Sequence, residues 1–200
     1  MSKTVIVGLT GGIASGKSTI SRYIQARGIP VFDADAAGHI LMQKDQPAWQ
    51  DIIDAFGLDI LTADEQIDRK KLGSIVFADI AKLNQLEQIM HKRIRQKVYD
   101  FIAQHQQENE PMIVIDVPLL IEAGWYKEVD EVWLVYLSTA EQIGRATARD
   151  ASSIESVKQR IDKQMPFEEK KKFATHIIDN SGTLENTLKQ VDDLLTPYKN

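Results

Sequence analysis

Eight residues near the N-terminus have the types and spacing of a phosphate-binding loop. The segment 11–18, GGIASGKS, fits the pattern G-x-x-x-x-G-K-[ST] without a mismatch. Glycines let backbone N–H groups converge on phosphate oxygens, and the N-terminus of a following helix adds partial positive charge. The pattern directs the Lys17 ammonium to the β- and γ-phosphates and the Ser18 hydroxyl to Mg²⁺. The residues predicted to contact a nucleotide are Gly11, Gly12, Ile13, Ala14, Ser15, Gly16, Lys17, Ser18 and Thr19.

Two aspartates end a short apolar segment, in the run Phe32-Asp33-Ala34-Asp35. Ligands of parallel sheets bind outside the carboxyl ends of the strands, where such residues would lie. The i, i+2 spacing places both carboxylates on one side of an extended chain. One would then accept a proton from an attacking hydroxyl while the other orients substrate or metal. The alternative is that one of them caps a helix beginning near Ala36, a role the pattern assigns to Asp35 more than to Asp33.

Three arginines in the second half of the chain have the spacing of a phosphate clamp. Arg145 and Arg149 are one helical turn apart and share a face, and Arg160 follows on a second helix. Guanidinium groups bind phosphate oxygens in a bidentate manner, and a mobile segment carrying them would exclude water from a γ-phosphate. The alternative is an ordinary solvated face, balanced by Glu141 and Asp150.

Four further features give weaker signals. Asp116 ends an apolar segment, where it either contacts Mg²⁺ through water or caps the strand end. His91 is, on residue type alone, a structural histidine of a helix. The lysines 170–172 follow two glutamates and are interpreted as a solvated helix. The tripeptide 180–182, Asn-Ser-Gly, is common in turns.

Short β-branched runs recur along the chain with helical patterns between them, which predicts an α/β fold. The middle runs are almost continuously apolar, as in parallel strands that are covered on both faces. The predicted strands are Thr4–Leu9, Ile29–Phe32, Met112–Val117, Glu131–Leu137 and His176–Ile178.

Two helical excursions interrupt this pattern. About 70 residues of helical periodicity after the second strand exceed a simple crossover, which needs only about a dozen, and indicate a helical subdomain. We therefore expect a core of residues 1–35, 108–138 and 173–200, a helical insert of residues 36–107, and a second, Arg- and Lys-rich excursion of residues 139–172.

Composition narrows the possible classes of function. The 200 residues are 43% hydrophobic and contain no cysteine, which excludes thiolate metal sites and cysteine nucleophiles. A net charge of −5 argues against a nucleic-acid binder, and no segment reaches the ~20 apolar residues of a membrane span. The N-terminal apolar run is too short for a secretory signal, so we expect a cytoplasmic protein. Nothing in the sequence indicates an oligomeric state.

One class of nucleotide-binding protein is disfavoured by a missing motif. Residues 35–38, DAAG, fit the D-x-x-G of GTPase switches, but the chain contains no N-K-x-D for guanine recognition. We therefore expect ATP rather than GTP.

Taken in order, these motifs resemble the dephospho-CoA kinase family over nearly the whole chain. The residues that carry the resemblance are 7–13 (VGLTGGI), Asp33-Ala34-Asp35, His91, Ile94-Arg95, 116–122 (DVPLLIE), Gln142, Arg145, Arg149-Asp150, Arg160, Gln164 and 177–180 (IIDN). The resemblance implies a P-loop NTPase-type α/β fold: a doubly wound parallel sheet of about five strands, a helical substrate-binding insert and a helical lid.

The resemblance also implies an activity and a set of roles. The family uses ATP with Mg²⁺ to phosphorylate the ribose 3′-hydroxyl of dephospho-CoA, giving CoA and ADP, in the last step of coenzyme A biosynthesis. Asp33 would be the general base, and Lys17 and Arg145 would stabilise the transferring group. The remaining implied residues are Arg149 and Asn180 for ATP, Ser18 for the metal, and Asp35, His91, Arg95, Leu119 and Glu122 beside Asp33 for dephospho-CoA.

Two positions depart from the family pattern. Lys92 follows the histidine where proline is common, and we expect it to change a local helix start. Ala14 stands where glycine is common, and its methyl group is expected to require a negative φ. Two rival functions also remain: another small-molecule kinase, such as a nucleoside monophosphate kinase, and a regulatory module that binds ATP without transferring a phosphate.

Overall fold

The five predicted strands are confirmed in the computed structural model, which describes residues 3–198. They form one parallel sheet in the order β2-β3-β1-β4-β5. The strands are β1 (Val5–Gly11), β2 (Val31–Asp33), β3 (Met112–Asp116), β4 (Glu131–Tyr136) and β5 (His176–Asp179). The second strand begins two residues later than expected, at Val31, and ends one residue later, at Asp33, directly before α2.

The central strand β1 leads directly into the phosphate-binding loop. Every residue of β3 is buried, which agrees with its continuously apolar sequence. In the register of the sheet, Leu9 of β1 aligns with Asp116 of β3 on one side and with Trp133 of β4 on the other. Because β1 ends at Gly11, the loop leaves the sheet at its carboxyl edge between β3 and β4.

Helices follow β1, β2, β4 and β5 along the chain. They are α1 (Lys17–Gln25), α2 (Ala34–Leu41), α3 (Pro47–Phe56), α4 (Arg69–Phe77), α5 (Ile80–Gln107), α6 (Thr139–Asp150), α7 (Ile154–Asp162), α8 (Phe167–Lys170) and α9 (Leu184–Leu195), with short 3₁₀ turns at Leu58–Ile60, Trp125–Lys127, Lys171–Phe173 and Thr196–Tyr198. Within residues 3–198, none of these helices has both the length and the apolar character needed to cross a membrane.

The chain forms two compact units. One contains residues up to Phe32 together with those from Gln104 onward, and the other runs from Asp33 to Ala103. The arginine-bearing excursion, residues 139–172, is part of the first unit. Whether the second unit binds an acceptor, and whether residues 139–172 act as a lid, remain predictions.

The core of the first unit fixes the helix that follows the loop. Ile20 and Ile24 of α1 are buried in the same apolar cluster as Leu9 of β1 and Trp133 of β4. Val191 of α9 belongs to the same cluster. Burial of Ile20 and Ile24 therefore holds α1, and with it the end of the loop, against the sheet.

The second unit has its own core and one well-aligned ion pair. Its buried cluster joins Leu41, Ala48, Ile52, Ile60, Ile67, Leu72 and Val76. Arg93 of α5 donates two hydrogen bonds to the carboxylate of Asp51 on α3, at 2.5 and 2.7 Å. These hydrogen bonds lower the pKa of Asp51 from its usual value. The pair therefore fixes α3 relative to α5 within this unit.

The last described residue, Tyr198, provides a pH-dependent contribution to stability. Its hydroxyl donates to Glu131 Oε1 at 2.7 Å. Burial and this hydrogen bond raise its pKa to about 12, from an ordinary value of 10.0. The contribution is complete below pH 10 and is lost as the pH rises through about 12, because the unfolded chain gives up the proton first.

We therefore expect Tyr198→Phe to lower the melting temperature at neutral pH by about 2–4 °C, the effect of about one hydrogen bond. Thermal unfolding measured from pH 8 to 11.5 should show the wild-type protein losing this advantage over the variant as the pH rises. A constant difference between the two proteins over that range would contradict the assignment.

Candidate functional site

The phosphate-binding loop, residues 11–18, has an open cradle of backbone donors. Among residues 3–198, no group accepts a hydrogen bond from the N–H of Ala14, Gly16, Lys17 or Ser18. The turn itself is closed by Ser15 N–H, which donates to the carbonyl of Gly12 at 3.1 Å. The loop therefore holds its shape while leaving donors available for an anionic ligand, as expected for phosphate.

Asn180 supports the loop from behind. Its side-chain N–H donates to the carbonyl of Ser15 at 2.7 Å, and its side-chain oxygen accepts from Thr187 Oγ1 at 2.9 Å. A Cβ at Gly16 would lie 2.1 Å from Asn180 Nδ2, and Gly16 has a φ of +93°. Glycine is therefore required at position 16. The side chain of Asn180 is thus hydrogen-bonded to the loop. Its role in binding ATP stays a prediction.

Ala14 adopts a left-handed conformation, and the expectation of a negative φ at this position is wrong. Its φ is +54°. The tight turn between Gly12 and Ser15 requires this conformation, and the loop imposes it despite the methyl group. The preference for glycine here is thus explained by backbone geometry: an L-residue in this region costs about 1–2 kcal/mol.

We expect Ala14→Gly to raise the free energy of unfolding by about 1 kcal/mol, the relieved strain less about 0.4–1 kcal/mol from the greater freedom of glycine in the unfolded chain. Urea unfolding would measure this. Ala148→Gly, on the exposed face of α6, is the matched control and should lower stability by about 0.5–1 kcal/mol. Equal losses in both variants would contradict the strain at Ala14.

Lys17 and Asp116 form an ion pair that the sequence did not predict. The Lys17 ammonium donates to Asp116 Oδ1, and the two side chains are only 15% and 3% exposed. The register of the sheet explains the encounter, because Asp116 ends β3 beside β1, the strand that leads into the loop. Asp116 therefore positions the lysine, in addition to any contact with a metal.

The three arginines have different surroundings. Arg145 Nη2 donates to the backbone carbonyl of Asn180 at 3.1 Å, which places Arg145 beside the loop. Arg149 and Arg160 instead share the carboxylate of Asp150, at 2.7 and 2.9 Å. Their hydrogen bonds lower the pKa of Asp150 to about 2. Of the three arginines, Arg145 is therefore the one whose position best fits a role in phosphate binding. Arg160 of α7 instead joins Arg149 of α6 at the carboxylate of Asp150, which links the two helices.

Asp33, not Asp35, caps α2, so the preferred assignment of the cap is wrong. The Oδ1 atom of Asp33 accepts a hydrogen bond from Ala36 N–H at 2.9 Å. The helix begins at Ala34, earlier than expected, and Asp35 lies in its first turn. Asp33 is still extended but Asp35 is already helical, so the prediction that both carboxylates lie on one side of an extended chain is wrong.

His91 and Arg95 lie one turn apart on α5, with His91 exposed to solvent. Helix α5 is continuous from Ile80 to Gln107. Lys92 is therefore an interior helical residue, and the expectation that it changes a helix start is wrong. Without the proline, the helix keeps its hydrogen bonds at this point.

Leu119 and Glu122 belong to the segment that follows β3. Leu119 is 46% exposed. Glu122 forms an ion pair with Lys170 at 2.8 Å and accepts a hydrogen bond from Met165 N–H at 3.2 Å. Lys170 is 2% exposed, so its assignment to a solvated helix is wrong: Glu122 compensates the buried charge.

Two glutamines near the loop were not assigned roles from the sequence, although both belong to its family pattern. Gln164 Oε1 accepts a hydrogen bond from Ile13 N–H at 3.1 Å. Gln142 Oε1 lies 2.7 Å from where a Cβ would stand on Gly12, and its Nε2 donates to the carbonyl of Leu137 at 2.7 Å. Both line a cavity of about 550 Å³ that also includes Gly12.

Comparison with known proteins identifies the family. The family model for dephospho-CoA kinase matches residues 5–186. The chain belongs to the dephospho-CoA kinase family. Dephospho-CoA kinase of Carboxydothermus hydrogenoformans is 45% identical over 194 residues, covering 97% of this chain and 94% of that protein. Dephospho-CoA kinase of Shouchella clausii is 43% identical, with 94% and 96% covered.

Solved structures agree with the family and with the fold. Dephospho-CoA kinase from Campylobacter jejuni has a TM-score of 0.72 at 29% identity, covering 97% of this chain and 98% of that one. TT1252 from Thermus thermophilus has a TM-score of 0.83 at 30% identity, covering 99% and 100%. Shikimate kinase from Bacteroides thetaiotaomicron, at 13% identity and a TM-score of 0.50, shares the fold. The chain is thus a P-loop kinase of the dephospho-CoA kinase family.

Proposed function

We propose that this chain transfers the γ-phosphoryl group of ATP to the ribose 3′-hydroxyl of dephospho-CoA, giving CoA and ADP. The observation that carries the proposal is the family match over residues 5–186, which includes the complete phosphate-binding loop. The open N–H groups of that loop and the adjacent Lys17 supply the binding site that phosphoryl transfer from ATP requires.

The first unit contributes the groups that stabilise the transferring phosphoryl group. The loop N–H groups donate to phosphate oxygens. When the phosphates bind, the Lys17 ammonium either leaves Asp116 for them or donates hydrogen bonds to both. Arg145, beside the loop, adds a further cation where negative charge spreads in the transition state. Arg149 is assigned to ATP by its helical spacing from Arg145 and by the family resemblance, and 61% of its side chain is exposed.

The residues present fit a magnesium ion. Mg²⁺ prefers oxygen ligands, and the loop region supplies the hydroxyl of Ser18 and the buried carboxylate of Asp116. Ser18 is exposed at the start of α1, where a ligand can reach it. When bound, the ion neutralises charge on the phosphate oxygens. Ser18 would hold it directly, and Asp116 through water.

The second unit contributes the acceptor-binding groups. Asp33 would accept the proton of the 3′-hydroxyl and orient its oxygen for attack on the γ-phosphorus, whose bond to the β,γ-bridging oxygen breaks. Asp35, His91 and Arg95 would hold the rest of the acceptor. In the first unit, the resemblance assigns Leu119 and Glu122 to the acceptor as well. These roles come from the family resemblance, position by position.

A coupled assay for ADP release tests the proposal. ADP formation should require dephospho-CoA and should equal the amount of CoA formed. Two comparisons separate the rival functions: AMP as acceptor tests a nucleoside monophosphate kinase, and Mg-ADP binding without any turnover would indicate a regulatory module. ADP release that is independent of dephospho-CoA would overturn the proposal.

A further inference from the structure

The phosphate-binding loop is fixed by a side chain that follows the arginine-bearing helices. Gln164 stands after α7 and before α8, about 150 residues from the loop in sequence. Its Oε1 accepts the N–H of Ile13 at 3.1 Å. The neighbouring loop N–H groups, those of Ala14, Gly16, Lys17 and Ser18, donate to no group among residues 3–198. Gln164 therefore contacts the loop at the edge of the phosphate cradle.

The hydrogen bond from Gln164 fixes one particular peptide group. The peptide unit between Gly12 and Ile13 carries the Gly12 carbonyl and the Ile13 N–H. The carbonyl accepts from Ser15 N–H at 3.1 Å, and the N–H donates to Gln164. Both ends of this unit are therefore held, and it cannot rotate without breaking two hydrogen bonds. The next residue, Ala14, is held in its left-handed conformation by the same turn.

Gln164 is itself rigidly supported. Its backbone N–H donates to the carbonyl of Ile161 at 2.9 Å. The next residue, Met165, donates its N–H to Glu122 Oε1, and the buried Lys170 pairs with the same carboxylate. The segment that carries Gln164 is thus attached to the segment after β3. Because the segment around Gln164 is already ordered, its side chain loses little further conformational entropy when it holds the loop.

We propose that Gln164 is a positioning residue for the nucleotide: it holds the Gly12–Ile13 peptide so that the following N–H groups face the phosphates. It acts through the loop and makes no contact with the nucleotide. A glutamine suits this role because its amide oxygen accepts a hydrogen bond without adding negative charge beside the phosphates. This inference rests on nucleotide binding by the loop, which is part of the proposed function.

Titration of Gln164→Ala with Mg-ADP tests the inference. We expect the Kd for ADP and the KM for ATP to rise about fivefold to tenfold, the effect of about one hydrogen bond. The KM for dephospho-CoA should stay within twofold and kcat within threefold. Gln159→Ala, an exposed glutamine of α7, is the matched control and should bind ADP as the wild type does.

A second variant separates the hydrogen bond from the volume of the side chain. Gln164→Glu keeps an acceptor for Ile13 but places a negative charge near the phosphates. It should bind ADP more weakly than Gln164→Ala at pH 8 and recover part of the affinity as the pH falls toward about 4.3, the ordinary pKa of a glutamate carboxyl group.

Three outcomes would overturn the inference. They are an unchanged Kd in Gln164→Ala, no pH dependence in Gln164→Glu beyond that of the wild type, and a large fall in melting temperature with equal losses for both substrates. The last of these would show a purely structural role. If the wild-type protein itself bound no Mg-ADP, the proposed function would fail first, so the two failures are distinguishable.

Discussion

Asp33→Asn is expected to slow phosphoryl transfer about 10²- to 10⁴-fold, the usual contribution of a general base. In this structure the substitution removes the proton acceptor without removing the cap of α2. The Oδ1 atom of Asp33 caps α2 by accepting from Ala36 N–H, and asparagine caps helices about as well as aspartate. The cap is therefore retained while the proton acceptor is lost. Since phosphoryl transfer needs little nucleophile activation, a loss near the lower end would indicate that Asp33 mainly orients the hydroxyl.

Single-turnover rates at saturating ATP would measure this effect, with two controls. Asp68→Asn changes the equivalent cap of α4, where Asp68 accepts from the N–H groups of Lys70 and Lys71. It should leave the rate unchanged. Asp35→Asn should raise the KM for dephospho-CoA more than it lowers kcat. A larger fall in the chemical step for Asp35→Asn than for Asp33→Asn would exchange the two roles.

Lys17→Met is expected to lower kcat/KM for ATP about 10²- to 10³-fold, because it removes one preorganised cation from the phosphate site. It should also destabilise the fold. Asp116 is nearly fully buried, and its ion pair with Lys17 neutralises the carboxylate. Losing that cation is expected to cost about 3 kcal/mol, as for other broken buried pairs. Loss of activity and loss of stability therefore occur together in this variant.

The double variant Lys17→Met/Asp116→Asn separates the two effects. Neutralising Asp116 removes the buried charge, so urea unfolding should show most of the lost stability restored. Transfer should stay at least 10²-fold below that of the wild type, because the cation is still missing. Recovery of activity with stability would show that Lys17 acts only as a structural partner of Asp116.

The sequence was sufficient to predict the sheet because its signals are local. The apolar runs around Ile113 and Trp133 and the motif at 11–18 each identify an element without knowledge of the rest of the chain. The family membership followed from the order of such motifs. The long helical insert was equally visible, because its periodicity extends over the three helices α3, α4 and α5.

The mistaken predictions concern contacts between distant residues or the conformation of single residues. Lys170 lies in a charged run that is typical of a solvated helix, and only the fold brings it to Glu122. The left-handed Ala14 is imposed by the closed turn around it. Residue types alone could not decide between Asp33 and Asp35 as the cap of α2, because that choice depends on whether the helix begins at Ala34 or two residues later.

The position of the phosphate on the product tests the central claim most directly. The protein would be incubated with ATP, Mg²⁺ and dephospho-CoA, and the product examined by ³¹P–¹H correlation NMR. We predict a new phosphomonoester coupled to the ribose H3′ proton, formed in equal amount with ADP. A dephospho-CoA analogue that lacks the 3′-hydroxyl should give neither product. A phosphate on any other oxygen, or ADP formed with that analogue, would contradict the account.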